Sequence, residues 1–367
     1  MSGSVYGKNF TISTWGESHG KALGVVIDGC PAGIDLCEED IQKDLDLRKP
    51  GSNKFGTKRK ESDTVHILSG VFEGKTTGTP ISLVVYNEDQ HSKDYGNIAY
   101  TYRPGHADYT FDQKYGFRDY RGGGRSSGRE TLCRVAAGAV AKKILSQLGI
   151  SFITYSKEIA GISSEIIPVS REEIFSDPLY MADKAASYAA QEKLLKCMEE
   201  KDSAGGIVEC RIKGVMAGIG ETVFDKLDAS LARAVMSLGA VKGFEVGTGF
   251  AVSKMRGSEN NDSFYADNEK NISKKTNNSG GILGGMSDGS EIVFRAAFKP
   301  TPSIFKAQET VTKDGENTTL EIFGRHDPII VPRAVIVVEA MAAVTLVDLI
   351  FGNMFARMDK IKEFYGK

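Results

Sequence analysis

A chain of 367 residues with 41% hydrophobic and 26% charged side chains is long enough to bury a large core and too ordinary in composition to be disordered or fibrous. Its formal net charge of −2 argues against general nucleic-acid binding, so any anion site has to be local. The cysteines Cys30, Cys37, Cys133, Cys197 and Cys210 offer no C-x-x-C pair and no zinc spacing, and MSGSVYGKNFTIS carries no signal-like apolar stretch. Together these favour a reducing, cytoplasmic setting without a metal site.

In chain order, the pattern predicts a helix from Asp35 to about Leu47, ending before Pro50, then strands at TVHILSGVF (64–72) and ISLVVYN (81–87). A helix over 128–147 carries Leu132, Val135, Ala136, Ala139, Val140, Ile144 and Leu148 at helical spacing. Another over 183–200 precedes the Ser203-Ala204-Gly205-Gly206 break and the strand GIVECRIKGV (206–215). A helix over 224–238, apolar at Leu227, Leu231, Ala234, Val235 and Leu238, stops at Gly239. Strands follow at FEVGTGFAVSKM (244–255) and EIVFRAAF (291–298), separated by a polar stretch, 256–280, that reads as a surface loop or a lid. The final apolar run, 334–352, is broken by Glu339 and Asp348 and begins behind Pro332, which marks a buried core helix rather than a membrane span. Strands cluster between helices without strict alternation, so the expected class is α+β with antiparallel sheets. No Pro/Ser-rich linker divides the chain, and one domain over 1–367 is expected.

The chemistry concentrates in RDYRGGGRSSGRETLCR (118–134). Ser127-x-x-Glu130 has the form of a capping box, Gly122 to Gly124 let a ligand approach the backbone, and Arg125 and Arg129 can share one side of the first helical turn. With the hydroxyls of Ser126 and Ser127, this suits a phosphate or several carboxylates. A Walker loop would need a lysine that is missing here, and an RGG-type RNA segment would be repeated. A tight turn with solvated arginines is the plainer alternative.

Further motifs strengthen the anion-site reading. GESHGKALG (16–24) sets Ser18 and His19 between glycines, RPGHAD (103–108) sets His106 at a Pro-Gly turn, and GRHDP (324–328) groups Arg325, His326 and Asp327. KPTPS (299–303) presents Lys299, Thr301 and Ser303 on a stiff loop. His66 and His91 read as structural or solvent-exposed. Arg48, Lys49, Lys54, Lys58, Arg59 and Lys60 form a second cationic region. The residues alone imply a small polyanionic substrate and acid–base work by histidine, without naming the reaction.

GESHG, the Arg48-Lys49-Pro50-Gly51 segment, RPGHAD, RDYRGGGRSSGRET, AVKGFE (240–245), GGILGG (280–285), KPTPS, GRHDP and PRAV (332–335) occur in an order that resembles the chorismate synthase family. The resemblance implies a β-α-β sandwich of antiparallel sheets and helices, assembled as a homotetramer. It implies 1,4-anti elimination of phosphate from 5-enolpyruvylshikimate 3-phosphate, with reduced FMN as cofactor. By the same resemblance, His19 is the acid near the leaving phosphate, His106 serves the flavin pyrimidine ring, and Asp327 acts in removing the ring hydrogen. Ser18, Arg48, Arg103, Ser127, Arg129 and Arg325 fall at substrate contacts. Arg125, Ser126, Ser127, Gly239, Ala240, Gly284, Lys299, Pro300, Thr301, Pro302, Ser303 and Arg325 fall at FMN contacts. An NADPH contact would fall at Arg48 and Lys54, although the length of the chain favours an external flavin reductant. The chain departs from the family pattern at Leu47, Lys49, Gly128 and Ile329.

Overall fold

In the computed structural model, which describes residues 3–49, 55–56, 62–88, 98–120, 123–322 and 327–366, two five-stranded antiparallel sheets enclose a layer of helices. The first sheet runs Val5–Tyr6, Thr11–Gly16, Ala22–Asp28, Ile81–Tyr86, Val65–Ser69 in spatial order. The second runs Val241–Val246, Ile292–Phe298, Gly206–Lys213, Ser151–Ile159, Ile162–Ser163. Period-two alternation turns Leu23, Val25 and Ile27 of one sheet and Val208, Cys210 and Ile212 of the other into a shared core. The class is α+β, as the clustered strands imply.

The helices are α1 (Glu38–Arg48), α2 (Asp108–Tyr115), α3 (Thr131–Gln147), α4 (Arg171–Ser176), α5 (Lys184–Glu199), α6 (Leu227–Met236), α7 (Gly257–Asn260), α8 (Val331–Asn353) and α9 (Met358–Phe364). Helices α3 and α8 form the filling: α3 packs on Thr11–Gly16 and Ala22–Asp28, and α8 packs on Ser151–Ile159 and Gly206–Lys213. The two charges that interrupt α8 have partners. Glu339 is fully buried and pairs with Lys142 (2.7 Å) and with Arg171. Asp348 Oδ1 accepts from the main-chain N–H groups of Lys8 (2.8 Å), Asn9 (2.6 Å) and Phe10 (3.0 Å), fastening the N-terminal strands to the end of the helix. The apolar run is therefore a core helix with polar anchors.

Three expectations change. The strand expected over 244–255 is Val241–Val246, and a 3-10 turn occupies Gly249–Lys254. Gly247 takes φ +57°, a left-handed conformation that ends the ladder. The 256–280 stretch is a folded excursion with a Phe264–Ala266/Ile272–Lys274 hairpin. It closes on buried Lys274, which bonds Asp288 (2.6 Å) and Ser279 (2.8 Å) and pairs with Asp262 (3.3 Å). None of its residues lines the cleft described below. The capping box also fails to form: Ser127 accepts from the Arg129 N–H, while Glu130 turns to Thr14 (2.9 Å) and Arg134 (2.9 Å).

Candidate active site

A cleft of about 1170 Å³ opens where the Gly16–Lys21 turn, the 103–119 segment, the 123–134 segment, Ser237–Lys242, Lys299–Ser303 and the start of α8 meet. That exceeds the roughly 300–1,000 Å³ usual for one small ligand. The segments are far apart in sequence, and the fold brings together most residues that the motifs single out. Ser18, His19, Arg48, Arg103, His106, Arg125, Ser126, Ser127, Gly239, Ala240, Lys299, Thr301, Pro302, Ser303 and Asp327 all line the cleft.

Three of the residues singled out stand elsewhere. Pro300 belongs to the 299–303 loop but is not among the lining residues, and Gly284 sits at the turn between Ile282–Leu283 and Met286–Ser287. Arg129 stands behind the wall, where it bonds Asn87 and Asp63. Lys54, Lys58, Arg59, Lys60, His91, Gly122, Arg325 and His326 lie outside the described residues.

The His106 wall is built from two motifs locked together. Arg103 grips Asp108 through Nε (2.7 Å) and Nη2 (2.7 Å), closing the 103–108 turn on itself. Burial pushes the Asp108 carboxyl up, but the hydrogen bonds and charge of Arg103 outweigh it and hold the group below its ordinary range. Gly105 adopts φ +71°, and a Cβ there would lie 2.8 Å from Pro302 Cβ. Lys299 Nζ donates to the Gly105 carbonyl (2.7 Å), and His106 Nε2 shares a hydrogen bond with Ser303 Oγ (2.9 Å). The turn and the KPTPS loop thus orient one another. Burial, then the charge of Lys242, draw the Lys299 ammonium below its usual pKa, so these two lysines place positive charge beside the cleft.

The arginines of the glycine-rich segment mostly serve the walls. Arg125 donates to the carbonyls of Gly16 (3.0 Å) and Thr14 (3.1 Å) and to Thr14 Oγ1 (2.8 Å), joining the segment to the strand before His19. Arg118 bonds Asp112 (2.5 Å) and the carbonyls of Ile98 and Thr101. Arg134 bonds Glu130 (2.9 Å) and Ser237 (2.5 Å). Arg48, only 1% exposed, pairs with Asp63 (2.8 Å). Burial pushes its pKa down to about 10, with Asp63 opposing and Arg333 and Arg129 assisting, so it stays charged at neutral pH. Arg333 Nη1 bonds Asp327 (2.5 Å) and its Nε donates to the Arg48 carbonyl (3.1 Å), linking the two sides of the cleft floor. Arg134, Lys242 and Arg333 were missed in the sequence. Arg134 and Arg333 stand at the edges of quoted motifs and Lys242 lies inside AVKGFE, so position in a motif was the available signal.

The wall also holds polar atoms with no protein partner among the described residues: Ser18 Oγ, Arg48 Nε and Thr301 Oγ1. A buried, unsatisfied group costs about 1–3 kcal/mol. Hydroxyl and guanidinium donors of this kind answer phosphate and carboxylate oxygens, so the donor set fits anionic ligands, among them a flavin phosphate.

A family model described as chorismate synthase matches residues 10–351. The chain belongs to the chorismate synthase family. A chorismate synthase of Lachnospira eligens is 63% identical over 367 residues, covering 100% of both chains. That of Lachnoclostridium phytofermentans is 62% identical over the same 367 residues, again with 100% coverage of both. A crystal structure of a chorismate synthase superposes with a TM-score of 0.77 at 29% identity, over 98% of this chain and 97% of that one. The chorismate synthase reaction, and so the reaction of this chain, eliminates phosphate from 5-enolpyruvylshikimate 3-phosphate to give chorismate, the last common step toward aromatic amino acids. The family is flavin-dependent in general.

Proposed function

We propose that this cleft holds reduced FMN and 5-enolpyruvylshikimate 3-phosphate together and that His19, His106 and Asp327 serve the 1,4-anti elimination. The observation that carries the reading is their convergence, from three distant segments, on one cleft larger than a single ligand needs. The residues for FMN are Arg125, Ser126, Ser127, Gly239, Ala240 and the 299–303 loop, with the Thr301 hydroxyl as a buried donor. Those for the substrate anions are Ser18, Arg48, Arg103 and Ser127, with Arg129 kept by resemblance. Arg325 completes both sets by resemblance, and Gly284 stays a proposed FMN contact on the same ground.

When bound, reduced FMN supplies the electron density that helps phosphate leave. The protein supplies position and protons. His19 is the acid toward the departing phosphate, with the Ser18 hydroxyl as a neighbouring donor. His106, oriented by Ser303, holds a proton at the flavin pyrimidine edge. Asp327, kept in place by Arg333, is the carboxylate facing the ring hydrogen. Arg48 and its neighbours offset the negative charge of the leaving group in a partly water-excluded site.

We place the chain as one domain over 1–367 in a cytoplasmic homotetramer that uses an external flavin reductant. The single core shared by both sheets supports the domain reading. The test is an anaerobic assay with substrate and dithionite-reduced FMN, beside a matched reaction with oxidised FMN and NADPH. Product with dithionite alone is expected. Product in both would mean that reduction is intrinsic, with Arg48 and Lys54 as the NADPH contact. Absence of product from folded, FMN-binding protein would sink the reading.

A further inference from the structure

The turn that carries Ser18 and His19 owes its shape to a residue outside the cleft. Asn87 follows the Ile81–Tyr86 strand and is not among the lining residues. Its Nδ2 donates to the carbonyls of Glu17 (3.0 Å) and Gly20 (2.7 Å), the residues on either side of Ser18–His19. Its own N–H donates to the Lys21 carbonyl (3.1 Å). The carboxamide can take only one orientation here. Its Oδ1 accepts from Arg129 Nε (2.7 Å), and a flip would set oxygen against two carbonyls and an amide N–H against a guanidinium.

Arg129 is fixed in turn. Its Nη1 pairs with Asp63 Oδ1 at 2.8 Å, and Asp63 Oδ2 takes Arg48 at 2.8 Å. Asp63 is 1% exposed and sits at φ +48°, a backbone conformation that few side chains adopt without support. Burial alone would push its carboxyl up, but Arg48 and Arg129 hold it below the usual range, so the base of the chain stays ionised. A buried carboxylate, a guanidinium and a carboxamide therefore lead, bond by bond, from the protein interior to the two carbonyls that bracket His19.

We infer that Asn87, anchored by Arg129 and Asp63, is a positioning residue for the Ser18–His19 turn. This rests on the reading of His19 as the acid. The turn joins Thr11–Gly16 to Ala22–Asp28 in five residues, and its two carbonyls set the direction in which the histidine projects. Displacing a reacting group by about 1 Å can cost a hundredfold in rate.

The test uses Asn87→Asp and Asn87→Ala in the full-length protein. Asn87→Asp keeps the size of the side chain and its bond to Arg129, but it turns a carboxylate oxygen toward the two carbonyls. Each variant is expected to fold, to bind reduced FMN with unchanged affinity and to keep KM for 5-enolpyruvylshikimate 3-phosphate within about threefold, while kcat falls by about thirtyfold or more.

Full kcat in Asn87→Asp would reduce Asn87 to packing and overturn the inference. So would a loss seen mainly in KM, which would mean direct contact with substrate. If Asn87→Ala does not fold, Asn87→Asp carries the same readouts. His19→Ala is the reference. Retained turnover there would end the reading of His19 as the acid, and the inference with it. Lost turnover there, beside a fully active Asn87→Asp, would end the inference alone.

Discussion

At the scale of single residues, the cleft depends on a few side chains with no room to move. Gly105 combines φ +71° with a Cβ position 2.8 Å from Pro302, so Gly105→Ala must shift the 103–108 turn away from the 299–303 loop. We expect folded protein with a broken His106–Ser303 bond and turnover reduced by about tenfold to a hundredfold, read by steady-state assay. His106→Ala should fold normally and lose most turnover, by about two to four orders of magnitude. Unchanged turnover at saturating reduced FMN would remove His106 from the mechanism. The motifs made His19, His106, Arg48 and the 299–303 loop legible as a set, because glycine, proline and histidine at turns carry chemical meaning in themselves. The partners of the arginines were not legible. Arg125 reaches Thr14 and Gly16, Arg129 reaches Asn87, and Arg333 reaches Arg48 and Asp327. Apart from Arg333–Asp327, six residues apart, these are long-range pairings that no local pattern encodes, so the row of arginines could not show which wall segments it also joins.

At the scale of elements, α8 is the one most exposed to a single change. Glu339 is its buried charge, with Lys142 (2.7 Å) and Arg171 as partners, and Asp44 joins the same group through Lys142 (2.6 Å). Burial pushes its carboxyl up, yet Lys142 and then Arg171 outweigh that and lower its pKa from the ordinary 4.5. Stability from this group is therefore complete above the unfolded-state value and is lost as pH falls through the lower folded-state value. Glu339→Gln should cost roughly 1–3 kcal/mol at neutral pH, because it leaves the part-buried Lys142 and Arg171 with Asp44 as their remaining carboxylate. Its deficit in thermal midpoint should shrink below about pH 4. A deficit that stayed constant with pH would mean that the charge of Glu339 contributes nothing. Element type was readable where apolar spacing was strong, as in α3, α5 and α8. The Thr11–Gly16, Ala22–Asp28 and Ser151–Ile159 strands escaped notice. In TISTWG and ALGVVID, polar residues and glycines blur the alternation, and the second ladder of Ala22–Asp28 is completed by Ile81–Tyr86, far along the chain. Glu130 failed to cap its helix for the same reason, since Thr14 and Arg134 offered better partners than the local N–H.

At the scale of the whole molecule, both sheets draw on one buried cluster that runs through α3 and α8. Calorimetry of the chain should give one main cooperative transition, whereas two well-separated ones would mean that the sheets fold independently. Beside that cluster lies a small second one, Ile98, Leu320 and Ile322. It ties the 98–118 segment, with α2 and His106, to the Gln308–Val311/Asn317–Leu320 hairpin through bonds such as Tyr102 N–H to the Val311 carbonyl (3.1 Å). The two faces of the cleft therefore belong to bodies of unequal cohesion. Amide protons of the His106 side should exchange with solvent through openings that leave the sheets intact, and far sooner than those of Ala22–Asp28 or Gly206–Lys213. A ligand that touches both faces lends its binding free energy to the weaker one, so protection gained on adding flavin and substrate should gather in 98–118 and 308–320. The enzyme would then finish consolidating its own active site only when that site is filled.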